Sequence, residues 1–250
     1  MAKQLPNVTT FRFYEELNDF LPEKFRKKSF DYTFSGNPCI KDAIEALGVP
    51  HTEVDLILVN DQTVDFNYQL KSGDRVAVYP VFEMFDITEV TELPKRPLRE
   101  LKFILDVHLG KLAKYLRMLG FDCLYKNNYS DEIIIKIAME QPRIILTRDK
   151  GLLKNSKVTR GYFVRATDPN LQLIEIYKRF DLANQIKPLI RCLNCNGIIK
   201  PIEKSAILKK LPLKTRQYYD KFFFCTQCQK IYWQGSHYEN MLDKINAIKK

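Results

Sequence analysis

Five carboxylates in the C-terminal two-thirds of the chain stand where phosphoester chemistry would want them. Asp106 ends the apolar run Lys102-Phe-Ile-Leu, and Asp149 follows Arg143-Ile-Ile-Leu-Thr147 and Arg148. Asp131 and Glu132 open a helix-like stretch behind Ser130, and Asp168 comes shortly after Gly161-Tyr-Phe-Val-Arg165. If those runs are neighbouring strands of a parallel sheet, the acids share the carboxyl edge, where open sheets bind ligands. Converging carboxylates repel one another unless a hard divalent cation, magnesium or manganese, binds their oxygens. Such an ion polarises a phosphodiester, activates water and stabilises in-line displacement. Each acid alone also has an ordinary role: an Asp after a strand caps the next turn, Asp131-Glu132 suits a helix N-terminus, and Asp168-Pro169 is a common turn pair. Their recurrence at matching strand ends favours a site.

The surroundings favour phosphate. Lys111, Lys114 and Arg117 recur every third residue on the polar side of a helix expected over 109–119, and Arg148 and Lys150 flank Asp149. Cations beside carboxylates are what a nuclease uses to hold a backbone, although a solvated helix face looks the same. His108, two residues after Asp106, reads as structural. A second constellation is sulfur: Cys192-Leu-Asn-Cys195 and Cys225-Thr-Gln-Cys228, with 29 residues between the halves. Two such knuckles complete a tetrahedral, closed zinc site that holds a fold and does no catalysis; two disulfides are the alternative. Cys39 and Cys123 read as ordinary thiols. Around the knuckles, Lys209, Lys210, Lys214, Arg216 and Lys221 mix with Tyr218, Tyr219, Phe222–Phe224, Tyr232 and Trp233, which either fill a small ribbon core or stack on bases.

The elements that position these residues follow from periodicity. After the short strand at 102–106, Leu109, Leu112, Ala113, Leu116 and Leu119 make one apolar helix stripe ended by Gly120. Strands are expected at 121–125, 143–147 and 161–165, with helices over 131–140 and 171–180, an α/β alternation with a mostly parallel sheet. Residues 1–90 differ. Strand-like runs at 8–14 and 24–34 precede a helix at 40–48, then strands at 54–59 and 74–79: the order of a ubiquitin-like β-grasp. The stretch Leu58–Val64 and Leu70-Lys-Ser-Gly-Asp-Arg-Val-Ala-Val-Tyr-Pro80 resembles the small sulfur carriers of that superfamily. Those carriers act through a C-terminal Gly-Gly, and this chain has none, so the resemblance implies the fold and argues against carrier chemistry.

Charge divides the chain in the same place. Residues 1–90 carry 9 Lys and Arg against 15 Asp and Glu, net −6, whereas residues 91–250 carry 31 against 15, net +16. The first module should repel polyanions and the second attract them. At 45% hydrophobic the chain has material for several cores, which excludes disorder. No run reaches eighteen apolar residues, and the start lacks the apolar segment of a signal peptide, so a soluble cytoplasmic protein without membrane association is expected.

Phe103-Ile-Leu-Asp-Val-His-Leu-Gly-Lys-Leu-Ala-Lys-Tyr-Leu-Arg-Met-Leu-Gly120, Ser130-Asp-Glu, Ile145-Leu-Thr-Arg-Asp149 and the two knuckles with Tyr232-Trp-Gln-Gly-Ser-His237 resemble the Mut-seven C-terminal RNase family. The resemblance implies a PIN-like nuclease domain with an appended zinc ribbon, preceded in many bacterial members by a ubiquitin-like module. It also implies a metal-dependent ribonuclease, with Asp106, Asp131 and Asp149 as magnesium or manganese ligands, Glu132 as an auxiliary and Asp168 as a weak fourth acid. The expected organisation is a β-grasp domain at 1–90, a linker at 91–101, the PIN-like domain at 102–185 and the ribbon at 186–250. The function expected is an RNA endonuclease. The alternative is a non-catalytic RNA-binding adaptor whose β-grasp module recruits a protein partner.

Overall fold

The computed structural model describes residues 6–80, 91, 93 and 101–248. Residues 81–90, and all of the expected linker but residues 91, 93 and 101, lie outside the described residues. Contacts divide the chain into an N-terminal unit, which includes Thr147–Phe163, and a C-terminal unit formed by Glu100–Leu146 and Val164 onward.

In the N-terminal unit, strands β1 (Asn7–Phe13) and β2 (Phe30–Phe34) precede helix α1 (Ile40–Ala46), and β3 (Val54–Val59), β4 (Gln62–Thr63) and β5 (Arg75–Pro80) come after it. The sheet order is β2-β1-β5-β3-β4, with β1 antiparallel to β2 and parallel to β5, the β-grasp arrangement. Alternation in β1 buries Thr9, Phe11 and Phe13, and α1 turns Ile40, Ala43 and Ile44 onto the same core. The second strand is shorter than the apolar alternation suggested, because 23–25 forms a 3-10 turn and Lys27 takes φ 57°. The two-residue β4 is too short to show a period. It forms because Asn60 and Asp61 (φ 51° and 69°) make a two-residue hairpin loop in the left-handed region.

The C-terminal chain runs β6 (Lys102–Leu105), α2 (Gly110–Met118), β7 (Asp122–Leu124), α3 (Asp131–Glu140), β8 (Ile144–Thr147), α4 (Lys150–Lys154), β9 (Gly161–Phe163) and α5 (Pro169–Arg179). Strand β6 lies between β7 and β8, parallel to both, with Phe103 opposite Cys123 and Ile144. Helix α2 ends as its sequence asks. Gly120, at φ 100°, lets its own N–H reach the Arg117 carbonyl and the Phe121 N–H reach Leu116. The remaining carbonyls of Met118 and Leu119 accept from Leu189 and Lys187 on the segment leading to the ribbon.

The ribbon is an antiparallel sheet of β10 (Ile199–Ile202), β11 (Phe222–Cys225) and β12 (Ile231–Trp233). Helices α6 (Lys204–Ile207) and α7 (Leu213–Tyr218) lie between β10 and β11, and α8 (Ser236–Ile248) comes after β12. Ile207, Leu211 and Phe222 form its small core. Among the described residues no helix is long and apolar enough to cross a membrane.

Candidate functional site

Asp106 is buried at the end of β6, its own N–H donating to Leu146 O of β8 at 3.1 Å. Its carboxylate accepts from the Val107 N–H and caps a 3-10 turn over Val107–Leu109. That turn is pinned by Tyr125, whose hydroxyl donates to the Val107 carbonyl at 3.0 Å. Gly110 allows this approach: a Cβ there would sit 2.7 Å from the same hydroxyl. Asp131 and Glu132 are exposed in the first turn of α3. Ser130 holds the capping position through its carbonyl, which accepts from Ile134, while its hydroxyl bonds Glu132 and holds that carboxyl below its ordinary value. Asp168 is exposed and accepts from the Leu171 and Asn170 N–H groups, which hold its carboxyl down and start α5. Asp106, Asp131 and Asp168, all of the C-terminal unit, do not form a group of ligand atoms within metal-binding reach.

Asp149 belongs by its contacts to the N-terminal unit. Its Oδ1 accepts from Gly151 N at 2.6 Å and caps α4, and its own N–H donates to the buried Thr147 hydroxyl at 2.9 Å. The β-grasp residues hold this segment at several points. His51 sets Nδ1 2.6 Å from Glu45 and Nε2 2.8 Å from the Val158 carbonyl. Glu53 accepts from Phe163 N at 2.6 Å, and the Lys154 ammonium donates to the Glu45 carbonyl at 2.6 Å. The Lys150 ammonium lies 5.0 Å from the Phe20 ring and 5.7 Å from Phe163. Arg148 is half-buried.

The basic stripe on α2 divides. Lys111 and Lys114 are exposed, but Arg117 is 2% exposed, a correction to its expected place on the polar face. Its Nε donates to Cys123 O at 2.9 Å, and its Nη1 donates to Leu193 O and Asn194 O at 3.0 Å each, inside the first knuckle. A guanidinium has five donors and can satisfy a loop of carbonyls, a use that i, i+3 spacing does not reveal. Asn196 ties the same knuckle to β7, accepting from Cys123 N and donating to Asp122.

The four cysteine sulfurs lie within 4.8 Å of one another, and Cys192–Cys228 and Cys195–Cys225 are 3.6 and 3.3 Å apart. A tetrahedral zinc with ~2.3 Å bonds sets sulfurs about 3.8 Å apart, so the donor set fits that ion. Among the described residues this is the group of three or more Cys, His, Asp or Glu that can hold a metal. Burial pushes the Cys192 thiol up, but the Tyr232 hydroxyl 3.0 Å from its sulfur and the Cys195 and Asn194 N–H groups bring it down to about 6. Sequence reasoning placed Tyr232 among ribbon aromatics and missed this hydroxyl; an aromatic four residues after a knuckle gives no sign of a sulfur partner.

Residues 101–245 match the family model of the Mut7-C RNAse domain. The chain belongs to that family. Residues 7–86 match the Mut7-C ubiquitin model, in agreement with the β-grasp order of the N-terminal sheet. No curated protein and no solved structure matches the chain. The RNase-domain match spans all five acids and all four cysteines, and it supports a nuclease-like role.

Proposed function

We propose that the chain is a metal-dependent RNA endonuclease, with a PIN-like α/β domain, that hydrolyses phosphodiesters with Asp106, Asp131 and Asp149. The observation that carries the reading is the position of these acids in an RNase-family chain: Asp106 directly after β6, Asp149 two residues after β8, and Asp131 heading the helix that comes after β7. Carboxylate oxygens are the donors a hard magnesium or manganese ion takes, and these three residues would hold it. The ion, when bound, would supply charge neutralisation at the scissile phosphate.

The chain's own residues do the rest. Lys111 and Lys114, exposed on the helix that starts four residues after Asp106, bind and orient backbone phosphates, with Arg148 beside Asp149. Tyr125 keeps the Asp106 turn in place through Val107. Glu132, held ionised by Ser130, adds negative charge beside Asp131. Asp168 stays a weak fourth acid; its Oδ1 accepts from the Asn170 and Leu171 N–H groups, as Asp149 Oδ1 accepts from Gly151. The four ribbon cysteines would hold zinc in a closed site that takes no part in catalysis.

The adaptor reading is favoured by one observation: among the described residues the group able to hold a metal is the four cysteines, with no carboxylate cluster beside it. A cleavage assay on a panel of RNA and DNA separates the two. Magnesium- or manganese-dependent cutting of RNA, lost in Asp106→Asn, supports the nuclease. Tight RNA binding with no turnover on any substrate supports the adaptor.

A further inference from the structure

A pocket of about 270 Å³ lies in the ribbon, lined by the 188–193 segment, all three strands and α8. Its volume is just under the roughly 300–1,000 Å³ of small-ligand sites, the scale of one heterocycle. Phe223 and Tyr232, paired across β11 and β12, form one wall, and Tyr238 of α8 contributes another ring. Trp233 borders both this pocket and the ribbon core. Arg191 is the charged residue of the lining, which contains no carboxylate among the described residues. The Arg191 guanidinium donates from Nη1 to Asn196 O at 3.2 Å and has Nη2 3.5 Å from Asp122, yet its buried Nε has no partner.

An apolar, ring-walled pocket with a guanidinium in its lining suits a flat, electron-rich ligand with hydrogen-bond acceptors. A nucleobase has both a π-face and carbonyl or ring-nitrogen acceptors. The net +16 of residues 91–250 favours a ligand carried on a polyanion. We infer that this pocket receives one unpaired base of single-stranded RNA, stacked on the ribbon aromatics and hydrogen-bonded by Arg191. The inference rests on the nucleic-acid substrate of the proposed function and extends it: the ribbon becomes a base-reading subsite separate from the acids.

The chain has one tryptophan, Trp233, which borders this pocket, so its fluorescence reports on the ribbon. The full chain is titrated with a four-nucleotide oligouridylate in buffer without magnesium or manganese, with inorganic tripolyphosphate and an apolar dye as parallel probes. The expected result is saturable quenching by the oligonucleotide and none by tripolyphosphate. Tyr238→Leu is expected to weaken the oligonucleotide on the order of ten-fold. Arg191→Lys, which keeps a cation beside Asp122 but removes the flat guanidinium, is expected to weaken it similarly without changing the circular dichroism spectrum. Quenching by tripolyphosphate to the same extent, response to the dye alone, or oligonucleotide binding indifferent to both substitutions would overturn the inference. Asp106→Asn separates it from the nuclease reading. If that variant and wild type both quench but neither cuts, the pocket stands and the nuclease fails; if wild type cuts without quenching, the pocket fails.

Discussion

Asp122, at the start of β7, shows how a single carboxylate joins the sheet to the zinc knuckle. Burial would raise its carboxyl, but the Arg143 guanidinium at 2.8 Å, the Asn196 amide at 2.8 Å and Arg191 hold it below the ordinary value. A carboxyl lowered in the folded state stabilises the fold above its unfolded pKa of about 3.9, and that stability is lost as pH falls below this value through the folded one. Acid unfolding tracked by circular dichroism should therefore begin at higher pH in Asp122→Asn than in wild type. At neutral pH the same substitution leaves Arg143, 6% exposed, without its carboxylate, and a loss of about 3 kcal/mol is expected from the shift in Tm. Gly120→Ala tests a backbone requirement. A methyl there both opposes φ 100° and collides with the Lys187 carbonyl, so it should cost more than about 1 kcal/mol by the same measurement.

At the scale of elements, the knuckles and the 147–163 segment make opposite cases for reading a sequence. Paired Cys-x-x-Cys halves announce their purpose, because few other arrangements need that spacing. Cys195→Ser, or a strong zinc chelator, should melt the ribbon; loss of ellipticity and a lower Tm on chelation, restored by added zinc, would bear this out, since metal binding supplies folding free energy. The apolar stripe of α2, the parallel strands and the β-grasp order were equally legible, because each repeats with a fixed period over several residues. What was hidden depends on chain segments far apart in sequence. Arg117 reads as one more basic residue on a helix, and only the fold reveals three carbonyls around it. Nothing in Thr147–Phe163 advertises that its partners are His51, Glu53 and Glu45. The candidate acids were legible by their place after strands; the capping bonds of Asp149 and Asp168 were not separable from that signal. His51→Ala together with Glu53→Gln should speed amide hydrogen exchange across 147–163 while leaving β6 and β7 protected.

At the scale of the whole molecule, a net charge of +10 is the sum of a −6 module and a +16 module. RNA affinity should thus fall steeply as salt rises, since cations in 91–250 release counterions from phosphate. Recruitment of a protein partner stays a proposal for residues 1–90; the grip of the β-grasp module on the chain around Asp149 gives it a structural task besides. The central question is whether the three aspartates cut RNA. Purified wild type, Asp106→Asn and Asp149→Asn should be compared on single-stranded RNA with and without magnesium or manganese. Metal-dependent cleavage by wild type is expected, with a fall of at least roughly a hundred-fold in either variant, beyond what losing an outer-shell partner of a metal site costs. Cleavage by the variants at the wild-type rate, or by wild type equally well without the metal, would show that these carboxylates do not hold a catalytic ion.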